Sequence, residues 1–476
     1  MSIHSNHRED VFETEVVELL TKHSGYIEGT SKGYDKELAL YPEDLINYIK
    51  ATSPKAYEKL EKMNGTKVDE AICKRVANQL DTNGLLYSLR NEIKDKGAKF
   101  KLCQFKPELH NPEIQERYDA NILRVVRQVY YSTKNQNSID LVLFLNGIPI
   151  VTIELKTDFT QAVEVAKSQY KYDRPPRGVS LLEFNKRSIV HFAVSGDEAW
   201  MTTKLAGPKT FFLPFNKGTE DGGAGNPVNL SGYATSYLWD EVLEKESILN
   251  IIARYIHLEV KHKENHQGKK IKSETMIFPR YHQLDAVRKL LAHSKDNGAG
   301  KNYLIQHSAG SGKSNSIAWL AHQLSSLHSD NESAIFNSVI VITDRTVLDN
   351  QLQETISSFE HKDGLVVGIT RDGSNETKST QLADALERGA KIIITTIQTF
   401  PFVLEAIQAR TTLKGKKYAI IADEAHSSQT GGTAKQLREV LSAEQIEEGV
   451  EISAEDIITA SLESRTASDN LSYYAF

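Results

Sequence analysis

A Gly-Ser-Gly-Lys-Ser loop set between a strand and a helix constrains the fold more than any other feature of this chain. Residues 307–314 read His-Ser-Ala-Gly-Ser-Gly-Lys-Ser, directly after the apolar run 303–306 and before the helix-like segment 315–324. Backbone amides converge on a polyphosphate only from a loop with little side-chain bulk that opens a helix after a strand. Gly310, Ser311 and Gly312 supply that loop, Lys313 a cation for the β and γ oxygens, and Ser314 a hydroxyl for magnesium. His307 stands where the usual pattern has its first glycine. Taken alone, these residues also suit a Gly/Ser surface turn.

Further apolar runs at 339–342, 391–395 and 418–422 alternate with helical segments. Such runs suit strands covered on both faces, so the second half is expected to be a parallel α/β sheet. Asp423-Glu424-Ala425-His426 follows the last run, placing its carboxylates at the carboxyl end of a strand. There Asp423 is expected to hold magnesium and Glu424 to orient and deprotonate an attacking water. A helix-start Asp-Glu pair is the plainer alternative. Upstream, Gln283 offers an amide that can both donate to and accept from an adenine edge, beside a stackable Tyr281. Thr343-Asp344-Arg345 and residues 395–399 close strands with polar groups suited to DNA phosphates, or to ordinary loops.

A chain of 476 residues exceeds one ordinary core, so a boundary is needed. Residues 257–272 are rich in His, Lys, Glu, Gln and Gly with almost nothing to bury, as in a solvated linker. The expected domains are 1–256 and 276–476, with 257–275 between them. His257, His262 and His266 fall there and read as solvated residues rather than a metal site. Within the first domain, apolar spacing predicts a helix over 12–22, stopped by Gly25, and a Lys-rich helical stretch over 42–96. A strand is expected over 188–194 and an exposed loop over 218–232.

Two β-branched runs, 139–145 and 148–156, flank Asn146-Gly147 and predict a hairpin. Asp140 opens the first strand, while Glu154 and Lys156 close the second on one face with Leu155 on the other. Phosphodiester hydrolysis needs hard oxygen ligands for magnesium and a cation to polarise water or steady developing charge. Asp140 and Glu154 meet the first need and Lys156 the second. A solvated hairpin rim remains the alternative. Glu13 on the opening helix is a further candidate ligand, and residues 168–173 are candidate DNA contacts; an amphipathic helix surface accounts for both as well.

Composition narrows the partners. A net charge of -6 excludes a protein that coats nucleic acid all over, but leaves room for a local basic groove. Cys73 and Cys103 have no paired spacing, which argues against a disulfide framework or a cysteine zinc site and fits a reducing cytoplasm. Residues 1–10 lack an apolar signal core, and no run approaches the roughly 18 apolar residues that span a bilayer. A cytoplasmic protein with no membrane partner is expected.

With these motifs in this order, the chain resembles the R subunit of type I restriction-modification enzymes. The likeness extends to 125–129, 137–144, 152–156, 201–207 and 278–287, and runs from about residue 9 to the end. It implies a restriction-endonuclease-like domain followed by the first RecA-like parallel α/β lobe of a superfamily-two motor. It also implies Asp140 and Glu-x-Lys at 154–156 as the cleavage site, with ATP and Mg2+ as cofactors. Double-stranded DNA and the methyltransferase (M) and specificity (S) subunits are the implied partners, and ATP-driven translocation precedes cutting. Two departures stand out. Ile139 replaces the proline that often precedes the aspartate, and the Gln-x-x-x-Tyr element is matched only loosely, because Gln169 is followed four residues on by Asp173. Gln169 and Tyr170 are carried over from that element. In the family a second lobe would follow Phe476, so a fragment that binds ATP weakly and does not translocate is expected. A repair helicase whose first domain binds DNA without cutting is the rival.

Overall fold

A computed structural model of the chain describes residues 3–157, 162–264, 270–308, 310–343, 352–357, 359, 365–368, 378–396, 410, 412–413, 415–423 and 470–476. They divide into two compact units, Met1–His282 and Gln283–Phe476. Strands of the first unit are β1 (Tyr26–Gly29), β2 (Ile93–Asp95), β3 (Ala98–Phe100), β4 (Leu123–Tyr130), β5 (Ser138–Leu145), β6 (Ile148–Leu155), β7 (Val190–Val194), β8 (Ala199–Thr202), β9 (Leu213–Pro214), β10 (His257–Glu264) and β11 (Lys270–Ile277). Seven of them form one sheet in the order β1-β4-β5-β6-β7-β8-β9. The pairs β1/β4 and β6/β7 are parallel and the others antiparallel.

The β5/β6 hairpin is the frame of the first unit. Asn146 and Gly147 both take positive φ, 49° and 78°, the turn whose twist matches the flanking strands. Asn146 is also pinned by its neighbours: its Oδ1 accepts from the Ile122 amide at 2.7 Å and its Nδ2 donates to the Leu102 carbonyl at 2.9 Å. A Cβ at Gly147 would lie 2.3 Å from the Tyr41 carbonyl, so only glycine fits. All of β6 is buried, which is why its sequence reads as a continuous apolar run. The opening helix, Ile3–His23, buries Phe12, Val16, Val17 and Leu20. One core of this unit joins Val126, Val142 and Phe144 of the sheet to Ala166 and Tyr170 beyond β6.

Residues 257–275 are not a linker: β10 and β11 pair antiparallel from His257↔Ile277 to Glu264↔Lys270. Alternating charged residues lack a core to face, yet a two-stranded ribbon satisfies its backbone without one. His257 is buried rather than solvated, and burial depresses its pKa to about 4. His266 lies outside the described residues.

The second unit carries β12 (Asn302–Leu304), β13 (Ser338–Thr343), β14 (Val366–Gly368), β15 (Ile392–Thr396), β16 (Tyr418–Ala422) and β17 (Leu471–Ala475). They form a sheet in the order β12-β17-β16-β13-β15-β14, and every pairing is parallel. Helix Lys313–Ser325 buries Ile317, Ala318, Trp319, Leu320, Ala321 and Leu324. Among the described residues no helix is long and apolar enough to cross a membrane.

Candidate metal and nucleotide sites

Strand register brings the first group of acidic residues together. Leu141 pairs with Ile153, so the next step outward sets Asp140 on β5 opposite Glu154 on β6. Asp140 Oδ2 accepts from the Leu155 amide at 2.8 Å and lies 3.8 Å from Lys156 Nζ. Lys156 Nζ also donates to the Leu155 carbonyl at 2.9 Å, and its own amide donates to Val194 on β7 at 3.0 Å. Glu154 is fully buried; its Oε1 accepts from Arg174 Nε at 2.8 Å, while Oε2 is buried with no hydrogen-bond partner among the described residues. Burial pushes the Glu154 carboxyl well above its ordinary range, the charge of Asp140 adds to this, and Arg174 opposes it. The expected trio is thus assembled, with an arginine that spacing did not reveal.

Glu13 joins the edge of this cluster. It is buried on the opening helix, accepting from Arg127 Nε at 2.7 Å and Gln128 Nε2 at 2.8 Å. Gln128 Nε2 also lies 3.4 Å from Asp140 Oδ1, and its Oε1 accepts from Ser138 Oγ at 2.9 Å. Burial raises the Glu13 pKa; the bonds to Arg127 and Gln128 lower it, and Asp140 raises it slightly. Gln128 has φ 47° inside a strand, a conformation only the backbone could disclose.

Residues 169–173 form a single π turn. Gln169 has a buried Oε1 without a hydrogen-bond partner among the described residues. Tyr170 is fully buried rather than turned toward a DNA surface, with its hydroxyl 2.8 Å from Thr152 Oγ1. Thr152 in turn lies 2.7 Å from Nδ1 of the buried His191. Tyr170 therefore braces β6 from behind. This correction follows from burial: an aromatic beside a glutamine looks identical in sequence whether it faces water or core.

In the second unit the Gly-Ser-Gly-Lys-Ser segment leads into a helix. Gly310 and Gly312 have φ 74° and 86°, and helix Lys313–Ser325 begins directly after them. Lys313 Nζ stands 3.1 Å from Asp423 Oδ1, though off the angle for a hydrogen bond, so the contact is Coulombic. β16 delivers Asp423 to the carboxyl edge of the same parallel sheet that ends in the loop. Gln283 is buried and its Nε2 donates to the Gly312 carbonyl at 2.9 Å, so its amide fastens the loop instead of standing free for an adenine. Tyr281, expected to stack, belongs with Tyr237 to the first unit, their rings 5.0 Å apart. Glu424, Asp344, Arg345 and Gln398 lie outside the described residues, whereas Thr343 and Thr395 are buried at their strand ends.

The residues present fit the groups they would hold. Among the described residues no three His, Cys, Asp or Glu side chains cluster as a closed metal cage. Magnesium does not need one, since it keeps several waters and binds through one or two carboxylates. The orphaned Oε2 of Glu154, opposite Asp140, is an acceptor that a hard cation would satisfy. At the loop, Ser314 and Asp423 offer the corresponding oxygens and Lys313 a charge for phosphate.

Residues 282–446 match the SWI2/SNF2 ATPase family, and residues 6–210 match the N terminus of type I restriction enzyme R proteins. An endonuclease subunit of a type I restriction enzyme, MjaVIIIP of Methanocaldococcus jannaschii, is 24% identical over 450 residues, covering 88% of this chain and 40% of that one. The HindI endonuclease subunit of Haemophilus influenzae is 26% identical over 297 residues, 62% of this chain and 26% of that one. A subunit of Staphylococcus saprophyticus, SsaAORF53P, is 23% identical over 437 residues, 90% of this chain and 41% of that one. A solved nuclease-deletion mutant of the type ISP restriction-modification enzyme LlaGI with a DNA substrate mimic aligns at TM-score 0.26 and 14% identity over 41% of this chain and 17% of that one, too little to carry an argument.

The fold and these matches define a mixed α/β protein with an ATPase-type second unit. More particularly, residues 6–210 match the family of type I restriction enzyme R proteins, and the relatives are endonuclease subunits of such enzymes. The chain spans 40% and 26% of the length of the first two relatives.

Proposed function

We propose that this chain supplies the DNA-cutting centre and the first nucleotide-binding lobe of a type I restriction endonuclease, in which ATP-driven translocation precedes Mg2+-dependent cleavage of double-stranded DNA. Its first unit would be restriction-endonuclease-like and its second RecA-like, and it would act with methyltransferase and specificity subunits. The observation that carries the reading is the fully buried Glu154, with one oxygen unpartnered, opposite Asp140 and beside Lys156. A buried carboxylate without enough counter-charge is expensive unless a cation completes it.

In this reading Asp140 and Glu154 hold the metal, which when bound would acidify a water and neutralise phosphate charge. Lys156, oriented by Asp140 and the Leu155 carbonyl, places its ammonium where an attacking water or a developing oxyanion would stand. At the nucleotide, Lys313 would meet the β and γ oxygens, Ser314 and Asp423 would hold its magnesium, and Glu424 would orient the hydrolytic water. Gln283 supports the loop from behind.

Cleavage by the assembled enzyme, with and without ATP, tests this. Replacement of Lys156→Ala is expected to lower Mg2+-dependent cutting on the order of 10²–10³-fold while ATP turnover persists. Cutting at the parental rate would instead favour a helicase whose first unit only binds DNA.

A further inference from the structure

Arg174 stands in the cluster around Glu154 without any role so far assigned. The residue is only 9% exposed, and its Nε donates to Glu154 Oε1 at 2.8 Å. Neither η nitrogen forms a hydrogen bond with any described residue. Each η nitrogen carries two N–H donors on a planar fork that matches the spacing of phosphate oxygens. An arginine serving only as a counter-ion would be expected to turn that fork onto the carboxylate, since the bidentate arrangement is the stronger one. The Asp44–Arg124 pair of this same unit does so, with bonds of 2.6 and 2.7 Å. Arg174 instead spends a single Nε bond on Glu154 and leaves the fork for something else.

The backbone keeps it there. Arg174 ends the π turn Gln169–Asp173, and Pro175 and Pro176 follow immediately. Two prolines fix φ and narrow the conformations of the residue before them. Asn137 Nδ2 donates to the Asp173 carbonyl at 3.0 Å, tying the turn to the segment that leads into β5. A long side chain is thereby held on a constrained backbone beside Glu154.

We propose that Arg174 is a catalytic residue for phosphodiester cleavage, binding with its η nitrogens the non-bridging oxygens of the phosphate under attack. The assignment rests on the metal-dependent nuclease reading of Asp140 and Glu154. Hydrolysis adds water across a P–O bond: the water oxygen bonds to phosphorus, the ester P–O bond breaks, and one proton of the water ends on the departing oxygen. Negative charge on the non-bridging oxygens grows in between. The guanidinium bonded to Glu154, together with the Lys156 ammonium beside Asp140, steadies that charge. The single bond from Glu154 orients the fork and leaves it open, which a bidentate pair would not.

The test uses the whole chain and the assembled enzyme. Mn2+ binding to the isolated chain is read by titration, and DNA cleavage by the complex is followed at saturating DNA. Wild type should bind Mn2+, and Asp140→Asn should lose it, which establishes the site independently of Arg174. Arg174→Met is then expected to bind Mn2+ within about threefold of wild type yet cut on the order of 10²–10³-fold more slowly in kcat. Arg174→Lys, keeping the charge without the fork, should recover only part of that loss. Parental cutting by Arg174→Met would overturn the assignment. So would loss of Mn2+ binding in proportion to cutting, or full rescue by lysine, because either makes Arg174 a neutraliser of Glu154 alone. Absence of Mn2+ binding in wild type would instead sink the nuclease reading itself.

Discussion

Gln128 holds a left-handed backbone within β4, at φ 47°, where a side chain with a Cβ costs about 1–3 kcal/mol. What offsets this strain is the amide, which serves Glu13, Asp140 and Ser138 together. Replacement by alanine keeps the strain and removes the donor from a buried carboxylate, so it should destabilise the first unit by about 1–3 kcal/mol. Glycine at the same position loses the donor but relieves the backbone. Gln128→Gly should therefore be more stable than Gln128→Ala by about 1 kcal/mol, read as the difference in urea midpoint. Equal midpoints would mean that the positive φ stores no strain. Asp140, Glu154 and Lys156 were legible in sequence because Asn146-Gly147 sets a register by which residues can be counted outward. Gln128 and Arg174 were not: one depends on a torsion angle, the other on a turn that folds back across β6.

β6 and β7 run parallel with Thr152 facing His191, and the π turn lays Tyr170 against both. Burial alone depresses the His191 pKa from 6.5 to about 3, so the folded protein keeps the imidazole neutral where the unfolded chain would protonate it. The sign follows: the stability tied to a neutral His191 is complete above about pH 6.5 and is lost progressively as pH falls toward 3. His191→Gln cannot titrate. Its stability relative to wild type should therefore rise as pH falls from 7.5 to 4.5, whatever fixed penalty the lost packing imposes; an unchanged difference would show that His191 takes up its proton alike in the folded and unfolded states. Elements formed by long apolar runs, such as β16, could be bounded closely from sequence, since burial on both faces writes itself into composition. β10 and β11 could not, because a ribbon whose side chains are largely charged resembles a linker until its backbone pairs. β17, which lies between β12 and β16, is equally illegible in sequence, because its place in the sheet is set by partners far away in the chain.

Each unit has its own sheet and its own buried residues, and each offers a different ligand chemistry. A ligand that binds one native unit stabilises that unit by RT ln(1 + [L]/Kd), about 2.7 kcal/mol at a hundredfold excess over Kd. Thermal unfolding of the whole chain should accordingly resolve two transitions that respond to different ligands. Mn2+ should raise one, and that response should vanish in Asp140→Asn. A non-hydrolysable ATP analogue in the presence of magnesium should raise the other, and Lys313→Ala should abolish the shift while leaving the Mn2+ response of the first unit intact. Gly312→Ala should behave like Lys313→Ala toward nucleotide but also lower the second transition without ligand. Its Cβ would sit 2.5 Å from Gln283 Nε2 at a φ of 86°. A single transition moved by both ligands, and by both sets of substitutions, would mean that the two sites share one cooperative structure. The separate assignment of cutting and nucleotide binding to the two halves would then fail.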